Sequence, residues 1–351
     1  MNDFAGLDTL PTTEDIGVIS LPCCSLCGNE GRRLYVSMVD WLFGVPGEWG
    51  IRNCAACGIA WLDPQPVARD IGKLYRRYYT HNVNTPVTWL SRLRKAILQH
   101  VLARMGYSVD RPKGVVARVL SHVRTAARAS ALDVLGLPAS GIGTLLDVGC
   151  GNGGFIARMR SLGWSVSGLD PDPRAVSHAR SQGLEIWGET ISDVPETAMY
   201  DVVTLNHVVE HAVDPIGLLR ECGKRLRPVT GRLIITTPNL ASLGHRWFNG
   251  YWRGLEIPRH LILFSPTSLR ECIKRAGLRL DSQCTETRLA RMIYVASVYA
   301  RQGARDVGEQ NKFKVRTMFA GYLFQVLEDS LMHLKADLGE EILCVCASRE
   351  A

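Results

Sequence analysis

From residue 144 onward short apolar runs alternate with helical patterns, and this alternation constrains the fold more than any other feature. TLLDVG (144–149) reads as a strand, followed by a glycine loop and the helix GFIARMRSLG. SVSGLD (165–170) reads as a second strand and PDPRAVSHARSQG as a second helix. LEIWG (184–188), YDVVTLN (200–206) and GRLIITTP (231–238) continue the series, with a helix expected near 213–227. Residues 279–287 and 341–348 read as two late strands around an amphipathic helix near 313–336. Strands this continuously apolar, separated by helices, predict an α/β fold: a largely parallel sheet covered on both faces.

The glycine loop carries the first functional signal. Asp147-Val148-Gly149-Cys150-Gly151-Asn152-Gly153-Gly154 follows a strand and opens a helix. Glycines there let the backbone approach a ligand at the carboxyl edge of the sheet. Such a loop also suits a nicotinamide dinucleotide, so alone it leaves two ligand classes open. Its context is narrower. Asp147 precedes the first glycine, and Asp170 ends the next strand, 19 residues after Gly151. A carboxylate at that place can accept two hydrogen bonds from a ribose diol.

With these residues in place the sequence resembles the class I S-adenosylmethionine-dependent methyltransferases over roughly residues 140–290, with a final strand near 341–348. The matching pieces are LLDVGCGNGGF, GLDPDP, YDVVTLNHVVEHAVDP, LRPVTGRLIITTPN and PRHLILFSPTSL, in that order. The resemblance implies a Rossmann-like seven-stranded fold and S-adenosylmethionine as cofactor. It assigns Gly149, Gly151, Asn152 and Gly153 to the methionine part of the cofactor, Asp147 to the amino group and Asp170 to the ribose. Asn206 and His207 fall beside the sulfonium. Relatives that methylate amino groups of nucleobases and glutamine often carry N-P-P-Y after the fourth strand. This chain has Asn206-His207-Val208-Val209 instead, which points to hydroxyl or carbon acceptors.

Cys24-Ser25-Leu26-Cys27-Gly28 and Cys54-Ala55-Ala56-Cys57-Gly58 form a second signal. Each spacing lets two thiolates meet one tetrahedral ion, and the following glycine permits the tight turn. Four sulfurs close the shell, so Cys24, Cys27, Cys54 and Cys57 are expected to hold a structural Zn²⁺. Cys23 reads as a bystander. The chain has eleven cysteines, but at 351 residues and 46% hydrophobic content it is too core-rich to need disulfide staples. The ribbon, the Trp61-Leu62-Asp63-Pro64 stretch and an aromatic helix with Tyr75, Tyr78 and Tyr79 resemble a bacterial subgroup of the family. That subgroup is associated with sugar, surface-polysaccharide or natural-product modification.

Methyl transfer to a hydroxyl also needs a proton acceptor, and histidine suits neutral pH. His207 follows the fourth strand, His211 follows Glu210 at a helix start, and His260 lies in a loop that often lids the acceptor pocket. Trp247, Tyr251 and Trp252 share that lid, where they either face a ring-shaped acceptor or pack the lid.

Charge is uneven. Residues 92–128 hold nine Lys or Arg against Asp110, a sum of +8, while the whole chain carries +7. A solvated helical face is the first reading of this segment, contact with an anionic membrane the second and nucleic acid the third. No run of about 18 uncharged apolar residues is present, so no membrane-spanning helix is expected. The start MNDFAGLDTLPTTEDIG has neither a basic nor an apolar region, and a cytoplasmic enzyme, at most peripheral at the inner membrane face, is expected.

The expected organisation is a tail (1–20), a zinc ribbon (21–66), a basic helical linker (67–138) and a methyltransferase domain (139–351). That domain carries a lid near 240–262 and a helical insertion near 310–338. The expected activity is O-methylation of a sugar or polysaccharide/glycolipid precursor, a small-molecule or glycan acceptor. The rivals are an RNA methyltransferase with a ribbon that binds RNA, and a cofactor-binding scaffold without chemistry.

Overall fold

A computed structural model describes residues 16–75, 89–303 and 315–349. Residues 1–15 of the expected tail, and Tyr78 and Tyr79 of the expected aromatic helix, lie outside the described residues.

The ribbon is built from β1 (Val18–Ile19), β2 (Arg32–Met38), β3 (Trp49–Asn53), β4 (Ala60–Leu62) and β5 (Gln65–Pro66). β2, β3 and β4 form an antiparallel meander, and β1 pairs with β5. Ile51, Ala60 and Leu62 are buried beneath it. A 3-10 helix over Ala68–Tyr75 follows.

Three helices carry the basic segment: α1 (Trp89–Arg104), α2 (Val115–Leu120) and α3 (Arg124–Ala131). Leu102 and Tyr107 leave α1 for the core beside Trp164, whose indole N–H donates to the Tyr107 hydroxyl at 3.1 Å. Several of its cations are tied to neighbouring elements. Arg104 donates to Ser121 Oγ at 2.7 Å, Arg128 pairs with Glu286 at 2.7 Å, and Arg94 reaches Asp133 at 3.2 Å. These arginines serve as internal ties as well as surface charge.

The α/β domain follows the predicted alternation: β6 (Thr144–Val148), α4 (Gly154–Ser161), β7 (Ser165–Leu169), α5 (Pro173–Ser181), β8 (Glu185–Ile186), β9 (Val202–Asn206), α6 (Pro215–Lys224), β10 (Arg232–Pro238), α7 (Leu243–Phe248), β11 (Ile262–Leu263), α8 (Pro266–Arg275), β12 (Leu278–Glu286), α9 (Ala290–Arg301), α10 (Val315–Leu331) and β13 (Glu341–Ser348). Seven strands form one sheet in the order β12-β13-β10-β9-β6-β7-β8. β10, β9, β6, β7 and β8 run parallel, and β13 is antiparallel to both its neighbours. This is the Rossmann-like seven-stranded fold implied by the resemblance.

Alternation along the strands feeds two cores. Leu146, Val203, Leu233 and Ile235 face one side with the ribbon, while Leu145, Val202 and Ile234 face α4 and α5 on the other. Strand order reverses at β6, where β7 and β9 flank it on opposite sides. The crevice beyond the carboxyl ends of these strands is where open α/β sheets bind ligands. No helix among the described residues is long and apolar enough to cross a membrane.

One feature departs from the expected division into ribbon and domain. β11, some 200 residues beyond β4, pairs antiparallel with it through Ile262–Trp61 and Leu263–Ala60. The four-stranded sheet β11-β4-β3-β2 therefore spans both, and ribbon and sheet share one apolar cluster. The ribbon is an integral wall of the molecule.

Candidate functional site

The loop after β6 adopts left-handed backbone at Gly149, Gly151 and Gly153, with φ of 75°, 54° and 81°. Their reasons differ. A Cβ at Gly149 would strike Val208, and one at Gly153 would strike Leu184 and lie 3.1 Å from Ala179 Cβ. A Cβ at Gly151 would meet nothing within 4 Å. Gly149 and Gly153 thus let protein pack on protein, whereas Gly151 faces open space. Asn152 turns back onto its own loop, its side-chain oxygen accepting the Gly154 N–H at 3.1 Å.

Asp170 sits where the sequence placed it, at the end of β7. Its two oxygens accept the N–H groups of Gly151 and Asp172 at 2.8 and 2.9 Å. It therefore shapes the glycine loop from the carboxyl end of β7. Asp147 is buried below the loop and accepts the Thr204 hydroxyl at 2.6 Å. Burial, aided by the charge of Asp170, pushes its carboxyl up to about 7. Two acids and an open glycine face fit a cationic ligand carrying a ribose: an ammonium would offset the burial of Asp147. Asn206 ends β9 and accepts the Thr236 hydroxyl at 2.7 Å.

His207 requires a correction. It was expected as a proton acceptor, but both ring nitrogens are committed. Nδ1 lies 3.2 Å from Glu210 Oε1 and Nε2 lies 2.7 Å from Glu341 Oε1. Burial opposes its charge, but these two carboxylates outweigh burial and raise the imidazole to about 10. Arg288 closes the chain by pairing with Glu341 at 2.8 Å. Held as an imidazolium between two acids, His207 has no lone pair for an acceptor proton. It ties the end of β9 to β13.

His211 and His260 come together instead. Their rings lie 4.8 Å apart. His211 Nδ1 is 2.9 Å from the Arg259 carbonyl oxygen, and His260 Nδ1 is 2.8 Å from the Gly254 carbonyl oxygen. A carbonyl can only accept, so each Nδ1 carries its hydrogen, and in the neutral ring the lone pair then sits on Nε2. Burial brings His260 down to about 4, against the opposing pull of Glu256. Tyr75 reaches the same place from the ribbon side, its hydroxyl 2.9 Å from His211 Nδ1.

The loop bearing His260 is pinned on both sides. Leu261 donates to the Glu210 carbonyl, and its own carbonyl accepts from Leu62 of β4. Arg259 is fully buried and grips Asp40 of the ribbon through two hydrogen bonds, 2.8 and 3.1 Å. Trp252 is also buried and donates to Glu340 at 2.7 Å, so it packs inside the 240–262 segment, whereas Trp247 and Tyr251 are exposed. Sequence reasoning missed Asp40, Glu256, Arg288 and Glu341. Only Arg259 had a local signal, its place beside His260.

The four ribbon cysteines converge. Cys24 and Cys57 sulfurs lie 3.6 Å apart, Cys27 and Cys54 sulfurs 3.3 Å apart, and all four lie within 4.8 Å of one another. Tetrahedral sulfurs about 2.3 Å from one zinc ion stand about 3.8 Å from each other. Gly28 and Gly58 take the left-handed turn at φ 76° and 71°, and each donates to the first cysteine of its knuckle. Burial opposes ionisation of Cys54, but backbone donors and Cys27 bring it down to about 7. The set fits a closed tetrahedral ion.

The profile of a family described as "Methyltransferase domain" matches residues 92–283. A protein named ubiquinone biosynthesis O-methyltransferase from Xanthomonas oryzae pv. oryzae is 32% identical over 146 residues, covering 39% of this chain and 58% of that protein. One of the same name from Cereibacter sphaeroides is 34% identical over 158 residues, covering 40% of this chain and 62% of that protein. The chain thus spans about three fifths of the length of these relatives. Among solved structures, a SAM dependent methyltransferase from Archaeoglobus fulgidus aligns with a TM-score of 0.37 at 16% identity, over 59% of this chain and 86% of that one.

Proposed function

The chain belongs to the methyltransferase-domain family, and from that premise we propose that it transfers a methyl group from S-adenosylmethionine to a hydroxyl acceptor. The observation that carries this reading is the glycine loop itself: Gly151 faces open space while its N–H is held by Asp170, with Asp147 buried on the same strand end. Asp170 would hold the ribose, Asp147 the ammonium, and Gly149, Gly151 and Gly153 the methionine chain. Asn152 and Asn206 shape the walls. The acceptor oxygen forms a bond to the methyl carbon while the C–S bond breaks. Its electron pair returns to sulfur, giving a neutral thioether, and the hydroxyl proton leaves toward the cluster of Glu210, His211 and His260. Alignment of the acceptor supplies most of the rate, since the sulfonium is itself reactive.

The acceptor we propose is a sugar or polysaccharide-precursor hydroxyl, as the ribbon subgroup suggests. The names of the relatives favour a second reading, a phenolic hydroxyl. Assays with nucleotide sugars and with catechols separate the two by which methyl ether forms. We further propose that the four ribbon cysteines hold a structural zinc ion.

Cofactor binding is tested first. Asp170→Ala should weaken S-adenosylmethionine binding by about 30- to 150-fold, the equivalent of about 2–3 kcal/mol for a charge-assisted pair. Calorimetry that finds unchanged affinity contradicts the assignment.

The glycine loop gives a second test. At Gly151 an added methyl meets only open space, so Gly151→Ala should cost about 1–2 kcal/mol of stability through left-handed strain. Cofactor affinity should fall about tenfold or more. At Gly153 the methyl meets Leu184 and Ala179, adding about 1–3 kcal/mol of overpacking to that strain. Thermal unfolding should therefore rank Gly153→Ala well below Gly151→Ala. The opposite order would mean that the Leu184 and Ala179 contacts at Gly153 relax at little cost.

A further inference from the structure

Glu210, His211 and His260 each offer one donor atom, and these three atoms lie within 4.8 Å of one another. They arrive from two chain segments. Glu210 and His211 lie in a turn of 3-10 helix just after β9, while His260 lies in the lid loop that Arg259 pins to the ribbon. Glu210 and His260 are buried and His211 is half-buried.

The hydrogens decide what such a cluster can hold. Both histidines spend their Nδ1–H on backbone carbonyls, those of Arg259 and Gly254. This is the arrangement by which metal-ligating histidines fix ring and tautomer, leaving Nε2 as the donor atom. The carboxylate is likewise oriented: Glu210 Oε2 accepts the Thr237 hydroxyl at 3.0 Å and Oε1 meets His207. The His260 Nε2 lone pair then faces acceptors on two sides, Glu210 Oε1 at 3.9 Å and Glu256 Oε2 at 3.6 Å. Lone pairs opposed in a buried place repel unless a proton or a cation stands between them.

We propose that Glu210, His211 and His260 form a second metal site, for a divalent first-row cation. Two imidazole nitrogens and one carboxylate oxygen suit Mn²⁺, Fe²⁺, Co²⁺ or Zn²⁺ better than Ca²⁺ or Mg²⁺. Ligand atoms about 2.1 Å from one ion stand at most about 4.2 Å apart, so ring movements of less than about 1 Å close the site. Three protein ligands leave coordination positions open, in contrast to the closed set of four cysteines. An ion here would hold the acceptor's oxygen, and the hydroxyl proton would pass from the ion-held group to water. The histidines then act as ligands. That role rests on the methyl-transfer reading; the binding of the ion does not.

Cobalt distinguishes the two sites. Zinc-replete protein would be titrated with Co²⁺ alone, followed by visible absorption and calorimetry. One further equivalent should bind, with weak d–d bands and no thiolate charge-transfer absorption. His211→Gln and His260→Gln should each weaken it by at least about 100-fold, more than the 10–100-fold typical of supporting residues. Circular dichroism checks that each variant folds, and half-buried His211 keeps the test open should the His260 variant not fold. No Co²⁺ binding below millimolar concentration overturns the proposal. So does binding that His211→Gln leaves unchanged, or binding that shows thiolate charge transfer, which marks exchange at the cysteines. None of these outcomes depends on whether a hydroxyl is methylated.

Discussion

Replacing Cys54 with serine is expected to release the zinc equivalent and unfold the ribbon. A structural zinc ion is held with an apparent free energy of about 10–16 kcal/mol in small cysteine–histidine modules, and most of that is folding free energy. The knuckles themselves have little else to hold them, although β3 and β4 share the apolar cluster of the domain. β1 and β5 are two residues each, and β2 is largely exposed. The effect should not stop at residue 66. β4 pairs with β11, Leu62 donates to Leu261, and Asp40 holds Arg259. Loss of the ribbon therefore frees the loop that bears His260. The seven-stranded sheet and the Asp170 site have their own core on the α4–α5 face and should persist. The expected signature is zinc content falling from one equivalent to none and hydrogen exchange rising across residues 16–66. Cofactor affinity should stay within a few-fold while methyl transfer is lost. A Cys54→Ser protein that retains transfer would show that the ribbon is dispensable to the site. Zinc-free wild-type protein, purified reduced and without chelator, would refute the metal.

The two halves of this molecule were unequally legible in the sequence. β6, β9 and β10 are rich in Leu, Val and Ile and almost wholly buried, and such strands announce themselves locally. α8 also carries an open start signal, Ser265 as cap and Pro266 in the first turn, although the periodic pattern did not single it out. The glycine loop and the cysteine knuckles are short-range patterns with a backbone reason, and all lie where the spacing put them. The pairing of β11 with β4 is different. Two residues contribute to it across some 200 positions, and no local property of Ile262–Leu263 names Ala60 as a partner. The reading of His207 failed for the same reason. Its place at the end of β9 was legible, but the carboxylate that occupies its Nε2 is Glu341, 134 residues later. A side chain's chemistry depends on its partners, and partners far along the chain leave no trace in spacing.

Arg259→Ala is the largest effect expected from a single side chain that touches neither cofactor nor metal ligand set. The guanidinium is wholly buried, forked onto both oxygens of Asp40, 3.4 Å from Glu256 and stacked 4.4 Å from the Phe43 ring. Removing one member of a buried pair strands the other charge and typically costs about 3–5 kcal/mol. Asp40 is partly insulated, because it also accepts the N–H groups of Leu42, Phe43 and Val45. Glu256 keeps Arg253. The loss should therefore sit near 3 kcal/mol, a fall in Tm of roughly 4 °C for a protein of this size. Arg259→Lys keeps the charge without the fork and should recover only part of it. The pair Asp40→Asn with Arg259→Met removes both charges and should cost less than the sum of the single changes, by about 1–3 kcal/mol of coupling. Function should follow the loop. His260 adjoins Arg259, so kcat for methyl transfer should drop by one to two orders of magnitude, as small misplacements at a reacting centre do. Asp170 and the glycine loop belong to other strands, so cofactor affinity should hold. A variant within about 1 kcal/mol of wild type in stability, with kcat unchanged, would mean that the His260 loop is held by Leu261 and β11 alone.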